Sequence, residues 1–289
     1  NRDGSDRLSK AIARFTKEDP TFRSMTDEET GETLIAGMGE LHLEIYVERM
    51  RREYKVEVEV GAPKVSYREA PTQTAEYNFR HKKQTGGSGQ FAHIVGKFQV
   101  LPEDNEEGEE VFLFESKVIG GRIPREYIPS VEKGFRDSLH KGPIAGYPIV
   151  GLKALLEDGS YHEVDSSDMA FQICARSCLR EMFAKTNPVL LEPVMKIEIE
   201  VPTQFQGTVA GELTSRRGLI VATEMKGNMA TIEGEVPLAE TFGYSTDLRS
   251  MTQGQGTFTM EFSKYRRVPN SIQQEIILER KKSQLVGAK

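Results

Sequence analysis

In this 289-residue sequence, His162, Glu163, Asp165, Ser166 and Ser167 stand together like a catalytic set. An imidazole among carboxylates and hydroxyls has the parts of an acid–base or nucleophilic site. A Ser-His-Asp triad, however, is made by convergence in space and not by adjacency in the chain. No Gly-x-Ser-x-Gly elbow is there to present a serine. The other readings of His162 are a solvated loop histidine and a histidine that contacts RNA. Two further groups compete. Cys174 and Cys178 lie at i, i+4, which is half of a metal site or a pair of core thiols. Residues 86–90 (GGSGQ) are glycine-rich, but no Lys follows and no helix opens there, so they do not form a P-loop. Glycines flanked by Arg80, Lys82, Lys83 and Lys97, with no acid between residues 78 and 100, suit close approach to an RNA backbone. An ordinary hairpin loop fits them as well.

The elements around these groups determine how they are presented. Asp158-Gly159 reads as a turn pair after an apolar run. Asp165, with Asp168 three residues on, reads as a weak capping box for a helix over 168–185. That would place His162 at an exposed strand-to-helix corner. A second histidine, His42, opens a helix over 39–54 after Gly37 and Gly39, either covering the core edge or facing a neighbouring domain.

The length allows two or three domains. The 37% hydrophobic content supports globular packing. No apolar run approaches the roughly 20 residues of a membrane helix. Two cysteines do not make a disulfide scaffold. A net charge of −6 excludes a uniformly basic nucleic-acid binder but not a local basic patch.

In chain order, Leu8, Ala11, Ile12 and Phe15 predict a helix over 5–18 that stops at Asp19-Pro20. Strands follow at 21–25 and 33–36 around a turn at 29–31. After the second helix, Val56, Val58 and Val60 alternate with acids as a half-buried strand. This α-β-β-α-β order is a split β-α-β sandwich without its first strand, which reads as a chain that begins inside a domain. Strands with a polar tip run from 65 to 99, and an acidic loop at 102–110 reads as a solvated hairpin. A strand at 111–119, a turn at 120–124, a helix marked by Ile128, Val131, Phe135 and Leu139, and a strand at 147–156 follow. From Met195 onward the pattern is a full β-α-β-β-α-β, with Gly218 at a helix C-cap. A terminal helix from Pro269 turns Ile272, Ile276 and Ile277 inward. The fold class expected is α+β in three domains, two ferredoxin-like sandwiches flanking an elongated β-α domain. The boundaries expected are 1–63, 64–192 with 264–289, and 193–263.

Four stretches together, GMGELHLE (37–44), GGRIPREYIP (120–129), DGSYHEVDSS (158–167) and FGYSTDLRSMTQGQG (242–256), closely resemble bacterial-type elongation factor G. The resemblance runs through essentially the whole sequence, in the family's order, over its domains three, four and five. It implies the C-terminal part of a ribosomal translocase that promotes GTP-dependent movement of tRNA and mRNA. GTP and Mg2+ would be held by a GTPase domain elsewhere in the parent, and this segment would carry no catalysis and no metal. The tip of domain four would reach the decoding centre with Gly159, Tyr161, His162, Gly87, Ser88, Gly89, Gln90 and Arg122. His42, Tyr46 and Arg49 would face the GTPase domain. Tyr244, Ser245, Arg249 and Gln253 would lie at the sarcin–ricin loop of the large-subunit rRNA. The partners implied are the ribosome, tRNA and mRNA, with ribosome recycling factor as a further one. The factor would be monomeric and cytoplasmic, with no membrane association. A recycling-specialised paralogue that splits ribosomes and a tetracycline-resistance ribosomal protection protein share the same architecture.

Overall fold

The computed structural model describes residues 2–26, 33–37, 40–61, 65–83, 89–101 and 112–287. The turn at 29–31, Gly39 at the opening of the second helix, the loop with Gly87 and Ser88, and the acidic loop at 102–110 lie outside them. The chain divides into two compact units, one of residues 1–65, 195–262 and 282–289, the other of residues 66–194 and 263–281.

Helix α1 (Arg2–Glu18), strands β1 (Arg23–Thr26) and β2 (Thr33–Ala36) and helix α2 (Glu40–Tyr54) open the chain. The i, i+4 pair Ala11 and Phe15 is fully buried and packs with Phe22, Tyr46 and Met50, so the helical period read from the sequence is also the packing period. The antiparallel hairpin pairs Arg23 with Ala36. The strand expected at residues 56–60 does not form. Lys55 takes a left-handed backbone at φ 51°, and the Val56 N–H turns back to the Met50 carbonyl at 3.4 Å. Val56 is buried and Val60 is exposed. Alternation marked an apolar edge there, but no strand among the described residues offers a ladder to it.

The middle unit holds β3 (Arg68–Ala70), β4 (Ala75–Lys83), β5 (Gln90–Val100), β6 (Phe112–Ser116), α3 (Ile128–Ser138), β7 (Leu152–Ser160) and α4 (Asp168–Met182). Its sheet runs β4-β5-β7-β6. The first two pairings are antiparallel and β6 is parallel to β7. One face carries Tyr77, Ile94, Phe98 and Ala154 into a core closed by Phe135, Phe171, Cys174 and Cys178 from α3 and α4. Both thiols are thus core side chains. No group of three metal-ligating side chains occurs among the described residues. Three local expectations are corrected. The β7 ladder starts at Leu152, after Gly151 at φ 67°, and it continues through Asp158-Gly159, so that pair is strand and not turn. The α4 N-cap is Ser167, whose extended backbone lets its Oγ accept from the Ala170 N–H. Asp165 lies too early to cap, and Asp168 is already helical and takes the Ser130 hydroxyl at 2.6 Å. Finally, α4 proper stops at Met182, and one tighter turn continues to Thr186 before left-handed Asn187.

The last third holds β8 (Val189–Pro202), α5 (Gln206–Ser215), β9 (Leu219–Lys226), β10 (Met229–Pro237), α6 (Tyr244–Met251), β11 (Thr257–Arg267) and α7 (Asn270–Gly287). The sheet order β11-β8-β10-β9 is that of a split β-α-β sandwich, and β3 adds to the start of β8. Ile197, Ile199 and Val201 alternate inward against Val209, Leu213 and Leu248. The left-handed residue that ends α5 is Arg217, at φ 59°. Gly218 follows it, donating to the Leu213 carbonyl at 2.9 Å in a Schellman closure. Ile272, Ile276 and Ile277 of α7 pack with Ala145, Leu190 and Val268 of the middle unit. No helix among the described residues is long and apolar enough to cross a membrane.

Candidate nucleic-acid interface

The end of the middle sheet where β4 stops, β5 starts and β7 ends gathers most of the tip residues. The register pairs Lys83 with Gln90 and His93 with Ser160. Gly159 pairs with Ile94 at this end. A Cβ there would lie 2.2 Å from the His93 carbonyl oxygen and 2.5 Å from Ile123 Cδ1. The glycine therefore permits two strands and a turn to meet. Gly120 and Gly121, both at positive φ, form that turn. It buries Ile123 against Gly159 and extends Arg122 to Asp158, with Nη1 2.5 Å from Oδ2.

Residues 161–167 form a loop tied to the first residues of β5. The Ser166 hydroxyl donates to the Phe91 carbonyl (2.7 Å) and accepts the His162 N–H (2.9 Å). The Phe91 N–H returns to the Asp165 carbonyl at 2.9 Å. Within the loop, His162 Nδ1 accepts the N–H groups of Val164 (3.2 Å) and Asp165 (3.1 Å). The ring itself is 54% exposed. Tyr161 and Val164 beside it are exposed too. This is no triad: Ser166 is spent on backbone, and the Asp165 carboxylate stands 3.7 Å from Nδ1. That carboxylate also lies where a side chain at Gly89 would go, 2.7 Å from its would-be Cβ. Gln90 is oriented by His81, Oε1 to Nε2 at 2.9 Å.

One residue at this end escaped the sequence reading. His93 bridges three strands, from Asn78 Oδ1 (2.8 Å) through its ring to Ser160 Oγ (3.0 Å). Burial, and then the nearby Arg80 cation, hold its pKa below the ordinary histidine value, so it is a neutral tie behind the tip loop. Period-two alternation places it on the face of β5 away from the core, but nothing in the sequence marks its partners. Arg80, Lys82 and Lys83 are exposed on β4, and no carboxylate pairs with them among the described residues.

The other two groups of residues lie in the other unit. On α2, His42, Tyr46 and Arg49 turn toward α1. Asp19 Oδ2 takes His42 Nε2 (2.7 Å) and the Tyr46 hydroxyl (3.0 Å), while Oδ1 takes the Thr21 N–H (2.8 Å) and hydroxyl (2.6 Å). The Thr21 hydroxyl first, then His42, hold the Asp19 carboxyl well below its usual range. Tyr46 is 8% exposed and packs its ring 4.5 Å from that of Phe22. Arg49 bonds Glu53 (2.7 Å) and Glu18 (3.0 Å) over the Phe15 ring. These three side chains brace the helix pair, and Tyr46 in particular is core and not a free surface.

Near α6, Arg249 and Gln253 are exposed and Ser245 is half-buried. Tyr244 is only 1% exposed, with its ring 5.1 Å from Phe258. It does not serve as a surface contact, because its place in the helical period is the inward one beside Leu248. Burial pushes its hydroxyl up to about 12.

Comparison with known proteins agrees along the whole chain. Residues 1–62 match the family model for elongation factor G domain III, residues 63–187 that for domain IV, and residues 189–276 that for the C-terminus. Elongation factor G of Rhodopirellula baltica is 64% identical over 289 residues, all of this chain and 41% of that protein. Elongation factor G 2 of Bdellovibrio bacteriovorus is 56% identical over 276 residues, 96% of this chain and 39% of that protein. A solved structure, that of ttk003000868 from Thermus thermophilus, superposes with a TM-score of 0.83 at 40% identity, covering 98% of this chain and 41% of that one. The chain thus spans about two fifths of the length of the relatives it matches. Matched in order by three models of one family and aligned from end to end with its members, the chain belongs to the elongation factor G family of translation factors.

Proposed function

We propose that this chain is the part of a ribosomal translocase that enters the decoding centre, acting by binding and carrying no chemistry of its own. In this reading domain three is residues 1–63, domain four is residues 64–192 with 264–289, and domain five is residues 193–263. GTP and Mg2+ belong to the GTPase domain of the whole factor. The partners are the ribosome, tRNA and mRNA in the cytoplasm.

The observation that carries the reading is His162, exposed on a loop fixed to β5 by hydrogen bonds, at the same sheet end as three cations that no carboxylate pairs among the described residues. An A-form duplex is recognised by shape and by phosphate and 2′-hydroxyl contacts. Lys and Arg supply the phosphate attraction. A firm loop with one aromatic donor and few charges suits a defined duplex better than a dense lysine patch, which binds any RNA. Occupying the vacated site with such a tip keeps tRNA that has moved forward from slipping back. Arg249 and Gln253 are the domain-five side chains available to large-subunit rRNA, whereas His42, Tyr46 and Arg49 act on a GTPase domain through the packing of α1 on α2.

The test is a single-round assay with the full-length factor carrying His162→Ala. The rate of tRNA movement divided by the rate of ribosome-stimulated GTP hydrolysis should fall about tenfold or more, as expected for losing a hydrogen bond to a charged group. An unchanged ratio would count against a tip role.

A further inference from the structure

The tip loop is built around one nitrogen of one ring. Val164 and Asp165 both point their backbone N–H groups at His162 Nδ1, at 3.2 and 3.1 Å. A ring nitrogen that accepts cannot also carry a proton, so in this loop the imidazole proton resides on Nε2. The imidazolium has donors on both nitrogens and would face two N–H groups with a third. The rest of the loop holds this arrangement. Ser166 fixes the His162 backbone and is itself fixed to the Phe91 carbonyl, and Asp165 is held by the Phe91 N–H. Among the described residues, the carboxylate that faces the ring is that of Asp165, 3.7 Å from Nδ1 and beyond hydrogen-bond range.

From this geometry we infer that His162 is presented as a neutral, single-tautomer hydrogen-bond donor, and that its ligand is an acceptor atom of RNA. The candidates are a phosphate oxygen, a ribose 2′-oxygen or a base carbonyl or ring nitrogen. The inference rests on the RNA-tip reading for the identity of the ligand, but not for the tautomer. Ser166 and the 164–165 backbone are then positioning groups, which act on RNA only through the ring. A neutral donor also explains why the tip ends in histidine and not lysine: it rewards an acceptor at one place and direction without a long-range field that attracts every phosphate.

Two measurements separate the parts. Long-range proton–nitrogen correlation NMR on the histidine-labelled chain at neutral pH, without RNA, should show His162 with an unprotonated Nδ1 and a protonated Nε2. A protonated Nδ1, or an imidazolium, overturns the inference. In the full-length factor, His162→Gln places an amide N–H near the Nε2 position, whereas the shorter amide of His162→Asn reaches only the Nδ1 position, where its oxygen can accept, and leaves no donor at Nε2. Translocation by H162Q should stay within about threefold of the parent, and H162N should lose about tenfold, which lies between the worth of a neutral hydrogen bond and that of one to a charged phosphate. Equal losses in both variants overturn the donor assignment while leaving a tip role standing. The expected tautomer with no effect of either variant overturns the RNA-tip reading, and the acceptor assignment with it.

Discussion

Replacing Gly159 with alanine should loosen the tip while leaving the side chains of His162, Gln90 and Arg122 in place. The backbone of Gly159 is not in the left-handed region, so alanine meets no torsional objection. The objection is space. The added Cβ would stand 2.2 Å from the His93 carbonyl oxygen, where ordinary contact begins at 3.4 Å, and the strands must part by about 1.2 Å at this point. Backbone cannot rotate out of the way as a side chain can. Overpacking of this kind costs about 1–3 kcal/mol, and a ladder hydrogen bond stretched beyond use adds about 1 kcal/mol. Together these give about 2–4 kcal/mol, concentrated where β5 and β7 carry the 161–167 loop. Native-state hydrogen exchange reads this directly. Amides at residues 91–95 and 158–166 should exchange about 30- to 1,000-fold faster, while those of β9 and β10 serve as an unchanged reference. Exchange within about threefold of the parent across the tip would refute the steric argument. It would mean that the close β5–β7 approach is not what fixes the loop.

Three further outcomes follow from other sites. The Asp19 carboxyl, held below its ordinary value of 3.8 first by the Thr21 hydroxyl and then by His42, contributes stability that is full above that value and is lost as pH falls through the depressed one. Thr21→Val should therefore move the acid unfolding of residues 2–61 to higher pH, followed by circular dichroism or NMR; an unmoved transition would remove Asp19 from the account. Burial pushes the Cys174 thiol up to about 12 and that of Cys178 higher still. Iodoacetamide at about pH 8 should label neither in the folded chain and both in guanidinium, and mass spectrometry showing rapid labelling of the native protein would contradict their place in the core. If Arg80 and Lys82 meet phosphates, the R80A/K82A double variant should reduce the slope of log affinity against log salt for ribosomal RNA by about 1.4 to 1.8, or about 0.7 to 0.9 per phosphate contact. Weaker binding with an unaltered slope would exclude them as phosphate contacts.

Much of the framework was legible because it rests on short-range rules. The 3.6 period of Ala11, Ile12 and Phe15 and the alternation of Ile197, Ile199 and Val201 each marked a buried face that the structure uses. The same rules failed where a partner decides the outcome. Val56, Val58 and Val60 alternate as a strand should but find no ladder. Asp158-Gly159 has turn composition, yet β5 draws it into a sheet. The capping pattern found the right corner but assigned it to Asp165, whereas the extended backbone of Ser167 makes the bond. For the candidate site, chain order and motif pointed to His162, Gln90 and Arg122. They did not distinguish exposed Arg249 from buried Tyr244, because both types occur on helices near surfaces and only the facing core tells which turns inward.

By itself, then, the sequence determined the order of elements, the apolar faces they bury and the family to which those motifs belong. These depend on residue type and spacing along one chain. Tertiary structure decided the anchoring of the His162 loop on Phe91, the ties that run from Asn78 through His93 to Ser160, and the need for glycine at 159. Each is set by atoms brought within hydrogen-bond or contact range from strands far apart in sequence. Directional bonds and hard-core repulsion act over a few ångströms of space, and no periodicity along the chain encodes which distant groups will meet there.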